Sequence, residues 1–150
     1  MENFSKIPPP VVVLILVIST FFSSKKIDLI LIPFQTLLSI FILSVGILIL
    51  INPVLKFKKS KTTINPIKFK KVNRLVTSGI YKYTRNPMYV GMNSFLLGLI
   101  LVLKNPLNIF FLIIFFFVVR NMFVLKEEVQ MEETFGEDYL TYKRKVRRWL

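Results

Sequence analysis

Two short stretches of this chain carry side chains that could do chemistry, and a long apolar segment separates them. The first is YKYTRNPMYVG, Tyr81 to Gly91. Arg85 offers a planar fork of N–H donors that fits a carboxylate or a phosphate. Asn86 and Pro87 read as the N-cap and first residue of a helix. A helix start presents free N–H groups, which favour an anionic ligand group. The second stretch is KEEVQMEETFGEDYLTYKRKVRRWL, in which Glu127 and Glu128 directly follow an apolar run. Six of the eight acidic residues fall between Glu127 and Asp138, so they need a cationic partner: the basic linker, Arg85 or a ligand. The first stretch also has a plainer reading. Tyr81, Tyr83 and Tyr89 suit an aromatic belt at a membrane interface, with Arg85 on a lipid phosphate. On residue types alone, anchor and site stand level.

Composition removes several chemistries. The chain has no Cys and no His. It therefore has no thiol nucleophile, no disulfide, no zinc site of the Cys/His type and no histidine base. No metal site is expected. The 150 residues are 53% hydrophobic with 15 Phe, and mean hydropathy is +0.59. A soluble domain of this size could not bury that much apolar surface. The net charge of +13 then points to positive-inside loops and anionic headgroups rather than nucleic acid.

The elements that must position the two stretches are apolar helices. Spans are expected over roughly Pro10 to Ser23, Asp28 to Ile51, Met88 to Leu103 and Leu107 to Leu125. Pro33 is expected to kink the second span and Asn52-Pro53 to end it. Asn105-Pro106 marks a tight turn, so the last two spans form a helical hairpin. The first span lacks an A-x-A site and a strong basic region, which disfavours a cleaved signal peptide. Seventeen of the 21 basic residues fall in the segment Lys56–Arg85, in the tail after the fourth span, or at Lys6. Only Lys25, Lys26 and Lys104 fall on the opposite side. That asymmetry places both termini in the cytoplasm. The expected fold is an all-α integral membrane protein: about four transmembrane helices, a C-terminal helical hairpin and an amphipathic tail helix. One domain is expected over 1–150. It divides into a helix pair (1–52), a basic cytoplasmic linker with the first motif (53–87), the hairpin (88–125) and a cytoplasmic tail (126–150).

Arg120 lies inside the fourth span, seven residues before Glu127, on the same face of a uniform helix. It is either a site residue or a cation snorkelling to the interface. Gly136 reads as a helix break. Beyond it Tyr139, Tyr142, Val146 and Trp149 recur at spacings of three and four, as in an interfacial amphipathic helix. In the linker, Thr62-Thr63-Ile64-Asn65-Pro66 is an uncharged turn amid lysines that read as lipid-binding. The hairpin brings an anion-binding helix start and a carboxylate pair together. A ligand with both a carboxylate and positive charges suits such a place, and S-adenosylmethionine is one molecule of that kind.

SGIYKYTRNPMYVG, an apolar hairpin and KEEVQMEETFGEDYLTYKRKVRRW, taken together, resemble the isoprenylcysteine carboxyl methyltransferase and phospholipid methyltransferase superfamily. The shared pattern is Arg-(His or Asn)-Pro-x-Tyr-x-Gly, a span pair, then Glu-Glu followed by Phe-Gly-x-x-Tyr-x-x-Tyr. It covers about the last 90 residues, and TTINP and LVTSG also look like small prokaryotic members. The resemblance implies an integral membrane enzyme of the cytoplasmic membrane of a prokaryote. It would use S-adenosylmethionine on a lipophilic or lipid-modified acceptor. By motif position it assigns Tyr81, Arg85, Asn86, Pro87, Tyr89, Gly91, Glu127 and Glu128 to the cofactor, with Arg85 and Glu128 as the catalytic pair. Arg120, Tyr139 and Tyr142 would serve the substrate or close the pocket. Asn86 stands where many members have His, and Asn cannot act as a base. That leans toward carboxyl O-methylation, with phospholipid amines and thiols as alternatives. A small multidrug-type transporter and a non-catalytic lipid-binding membrane protein are the rivals of other classes. The transporter would need an acid inside a span.

Overall fold

The computed structural model describes residues 7–24, 33–59 and 74–150. Lys6, Lys25, Lys26, Asp28 and the Thr62–Pro66 turn, all used above, lie outside the described residues. Among the described residues the fold is helical throughout, with no strand.

Helix α1 is Pro9–Ser24 and α2 is Gln35–Lys59. A single 3-10 turn, Gly79–Lys82, leads into α3, Pro87–Leu103. Another, Pro106–Asn108, opens α4, Ile109–Val119. A π-helical turn, Arg120–Val124, then joins α4 without a break to α5, Leu125–Phe135. Helix α6 is Glu137–Lys145. Gly136 separates α5 from α6 at φ +53°, a left-handed backbone that glycine adopts without a Cβ penalty. The helix break expected there is present.

Contacts between the helices give their directions. The end of α1 meets the start of α4, where Asn108 Nδ2 donates to Ser24 Oγ at 2.7 Å and Ser23 Oγ donates to Asn108 Oδ1 at 2.5 Å. The start of α2 meets the end of α3, where Gln35 Nε2 donates to Leu101 O at 2.9 Å. Leu50, late in α2, lies against Gly91, early in α3. The four helices therefore alternate in direction. Helices α2 and α3 approach closely because glycine leaves room. A Cβ on Gly46 would stand 2.8 Å from Phe95 N, and one on Gly98 would stand 2.7 Å from Leu43 Cγ. Small residues that let backbones meet are how membrane helices pack without a hydrophobic drive.

The core is drawn from α1, α3, α4 and the π turn: Leu16, Tyr89, Met92, Leu96, Ile100, Phe115, Val119, Phe123 and Val124. Outside it lies a broad apolar surface. Leu14, Ile15 and Phe22 on α1, Phe41, Leu48 and Leu55 on α2, and Phe110 and Phe117 on α4 are exposed. Gln35–Leu55 and Pro106–Phe135 are long and apolar enough to cross a membrane, whereas Pro9–Ser24 and Pro87–Leu103 are shorter apolar helices.

Four local expectations are corrected. Pro33 does not kink the second helix, because it lies in a turn ahead of α2, which starts at Gln35. Asn52-Pro53 does not end α2, which runs on to Lys59 with Pro53 buried inside it. A proline has no N–H to give the carbonyl four residues before it, and in a membrane helix neighbouring helices support such interruptions. Glu127 and Glu128 do not lie beyond the last apolar helix but within its continuation, in the first turn of α5. The tail helix stops at Lys145, and Val146 is extended at φ −120°, ψ 132°. Trp149 is thus not on an interfacial helix. Its ring packs against Phe116 at 5.1 Å between centroids.

Candidate functional site

The site is built where α3 begins. Pro87 occupies the first helical position, as expected, because its missing N–H is no loss there. Asn86 is the preceding residue, yet its side chain does not cap the helix. Its Nδ2 donates instead to Arg148 O at 3.0 Å, and its backbone N–H to Thr84 Oγ1 at 3.2 Å. Thr84 Oγ1 donates to the same Arg148 carbonyl at 3.1 Å, and Arg85 N donates to Arg147 O at 3.0 Å. The closing residues of the chain are thereby laid across the Thr84–Asn86 loop.

Glu128 is the electrostatic centre. Arg148 clamps it with two bonds of 2.8 Å, Nε to Oε1 and Nη2 to Oε2. Arg85 Nη2 stands 3.2 Å from Oε1, and the Arg85 and Glu128 side chains are only 9% and 8% exposed. Hydrogen bonds to Glu128 hold Arg148 above its ordinary pKa. Arg85 has donors to spare: its Nε and Nη1 are buried and make no hydrogen bond among the described residues. Buried donors of a charged group without partners are rare and costly. Arg85 lines a cleft.

The cleft is lined by Arg74, Leu75, Val76, Tyr81, Arg85, Asn86, Glu127, Glu128, Met131, Tyr139 and Tyr142, with about 460 Å³ of open space, part of it continuous with solvent. Glu127 lies beside Glu128 but has a different role. It accepts from Tyr89 OH at 2.5 Å and makes no ion pair among the described residues. The phenols are neutral walls. Burial pushes Tyr139 up to about 12, aided by the Glu128 charge and opposed by the Arg85 guanidinium. Burial drives Tyr81 higher still, reinforced by the neighbouring Tyr142 phenol and the Glu127 carboxylate. Tyr142 OH donates to Tyr81 O at 2.7 Å, tying α6 to the 3-10 turn before α3.

Seven of the eleven residues singled out in the sequence therefore meet at one cleft: Tyr81, Arg85, Asn86, Glu127, Glu128, Tyr139 and Tyr142. Tyr89 reaches it through its bond to Glu127. Pro87 is buried in the helix start and shapes the loop. Gly91 is elsewhere: a Cβ there would meet Leu50 Cγ at 2.8 Å and Gly46 O at 3.1 Å, so its smallness serves the contact with α2. Arg120 does not line the cleft, and its Nη1 donates to the neighbouring Asn121 Oδ1 at 2.8 Å. A uniform helix turns about 100° per residue, so seven residues would return to the Glu127 face. The π turn adds about one residue to the turn and swings Arg120 away.

Arg148, Thr84, Met131 and Arg74 were not foreseen. Met131 had a signal, since it stands four residues after Glu127 and three after Glu128 on one helix face. Arg148 and Arg74 were indistinguishable from the other basic residues around them. Among the described residues no group of three or more His, Cys, Asp or Glu could hold a metal ion.

The arrangement is a helical membrane scaffold with a polar cleft at the end of its apolar band. Residues 34–138 match the family model for phospholipid methyltransferase, and the chain belongs to that family. It is similar to the protein-S-isoprenylcysteine O-methyltransferase of Saccharomyces cerevisiae, 39% identical over 75 residues, which is 48% of this chain and 30% of that protein. The Homo sapiens protein of the same name is 36% identical over 73 residues, 48% of this chain and 25% of that protein. An uncharacterized protein of Haemophilus influenzae is 41% identical over 63 residues, 42% of this chain and 100% of that protein. The chain thus spans less than a third of these isoprenylcysteine O-methyltransferases. No solved structure matches it.

Proposed function

We propose that this protein transfers a methyl group from S-adenosylmethionine to a lipophilic acceptor, by carboxyl O-methylation of the isoprenylcysteine type. The observation that carries the reading is the pair of buried, unpartnered donors on Arg85, a residue that lines the same cleft as Glu127. They fit the cofactor's carboxylate, and Glu127 fits an ammonium or a ribose hydroxyl. When bound, S-adenosylmethionine supplies an electrophilic methyl group on a sulfonium. Arg85 binds and orients an anionic group through its free donors. Glu128 acts through the arginines, both of which it holds. Tyr81, Tyr139 and Tyr142 exclude water from the cleft, which strengthens every charge interaction in it. Most of the rate would come from positioning and desolvation.

The absence of His favours an acceptor that is already an anion, because a carboxylate needs no base. One observation favours an amine acceptor instead. Glu127 has no cationic partner among the described residues and could take a proton from an ammonium.

In this reading α1, α2, α3 and the continuous α4–α5 rod are four spans, with both ends of the chain on the cytoplasmic side. Their alternating directions and exposed apolar faces support this, as does the lysine and arginine asymmetry. The same chain would then act as one methyltransferase domain divided as in the sequence reading.

The test is transfer of tritiated methyl to a total membrane extract, followed by base treatment. Base-labile label is the expected result, because esters hydrolyse. Base-stable label moves the reading to amines or thiols. Absence of both label and S-adenosylhomocysteine binding rejects it in favour of a transporter or lipid-binding protein.

A further inference from the structure

Glu128 is one carboxylate shared by two guanidiniums, and the sharing is unequal. Arg148 takes both oxygens at 2.8 Å. Arg85 reaches only Oε1, with one nitrogen, at 3.2 Å. Two cations on one anion leave a net positive charge. It is expressed on the Arg85 side: Arg85 lines the cleft, and its buried Nε and Nη1 have no hydrogen-bond partner among the described residues. An arginine beside a buried carboxylate prefers to close on it with two parallel bonds. Arg148 already occupies that geometry.

The backbone holds Arg148 there. Its carbonyl accepts from Thr84 Oγ1 and Asn86 Nδ2, the neighbours of Arg85 on either side. Trp149 against Phe116 docks the same segment independently of the Arg148 side chain. Arg148 itself is the most exposed of the three charged groups, at 29%.

We propose that Arg148 is a positioning residue. By saturating Glu128 it stops Arg85 from collapsing onto that carboxylate, and so keeps two Arg85 donors open for the carboxylate of the bound ligand. The identity of that ligand rests on the methyl-donor reading above. The arginine geometry does not.

The test uses the full chain in detergent micelles with 15N-labelled arginine. The Arg85 Nε–H resonance is assigned through Arg85→Lys. In Arg148→Ala this resonance moves, because Arg85 engages Glu128. In Arg148→Ala/Glu128→Gln it returns toward its wild-type position, because a neutral amide does not draw the guanidinium in. Calorimetric titration with S-adenosylhomocysteine follows the same order. Affinity falls by about tenfold or more in Arg148→Ala and rises again by about threefold or more from that level in the double variant. An Arg85 resonance unmoved by Arg148→Ala overturns the proposal, whether or not the wild type binds S-adenosylhomocysteine. A double variant that binds as weakly as the single variant also overturns it, and leaves Arg148 as an anchor of the chain's last residues. A wild type that binds no S-adenosylhomocysteine, while the resonance moves as expected, rejects the methyl-donor reading and supports the role of Arg148.

Discussion

The molecule buries polar groups at both ends of its helices, and the two ends treat them differently. At the end away from the cleft, Asn108 bonds to Ser23, Ser24 and the Thr20 carbonyl, and Asn105 Oδ1 accepts from Leu107 N. Every member is neutral, and the bonds tie α1 to the start of α4. One amide nitrogen, Asn105 Nδ2, is left without a hydrogen bond among the described residues. At the other end the members are charged, two arginines crowd one carboxylate, and two donors of a single cation stay open beside a cleft. Neutral groups whose bonds close on each other make a clamp. Charged groups left short of partners next to open space make a binding site, because a ligand can complete them.

Substitutions can break this comparison. The largest expected effect is Glu128→Ala, which leaves two guanidiniums without their counter-charge. Unfolding in detergent should show a loss of about 3–5 kcal/mol, so a binding defect in this variant must be read beside its stability. Next is Gly46→Ala, whose Cβ would press on the Phe95 backbone. It should cost about 1–3 kcal/mol by overpacking, with affinity for S-adenosylhomocysteine unchanged in the folded fraction. Gly91→Ala should behave in the same way, and a selective loss of affinity there would return Gly91 to the site. Asn108→Ala should lower stability by about 1–2 kcal/mol and leave ligand affinity intact. A loss of affinity in that variant would remove the distinction between clamp and site. The smallest effect is expected of Arg120→Ala, which should change neither affinity nor stability by more than about 0.5 kcal/mol. A large loss of affinity would mean that the π turn does not swing Arg120 out of the cleft.

Much of this was legible in the sequence where local chemistry decided it. Pro87 at a helix start, the Asn105-Pro106 turn and the Gly136 break follow from backbone rules, and all three are where those rules put them. The pairing of Arg85 with the Glu127–Glu128 segment followed from charge balance and an expected hairpin. The remainder depended on packing. Whether Pro53 ends a helix depends on the neighbours that surround it, and the π turn at Arg120–Val124 has no residue signature of its own. Without that turn, counting sevens puts Arg120 on the wrong face. Gly91 sat inside a motif that suggested a ligand, yet its role is decided by α2, far away in sequence. Arg148 looked like one more basic residue in a basic tail. Only the folded chain reveals that its carbonyl and its guanidinium grip both halves of the site.

The central claim is that Arg85 is held ready for an anionic ligand in this cleft. Calorimetric titration of S-adenosylhomocysteine into wild type and Arg85→Ala, with circular dichroism to check the fold, tests it most directly. The predicted result is saturable binding to the wild type and none to a folded Arg85→Ala. Wild-type affinity in that variant would contradict it.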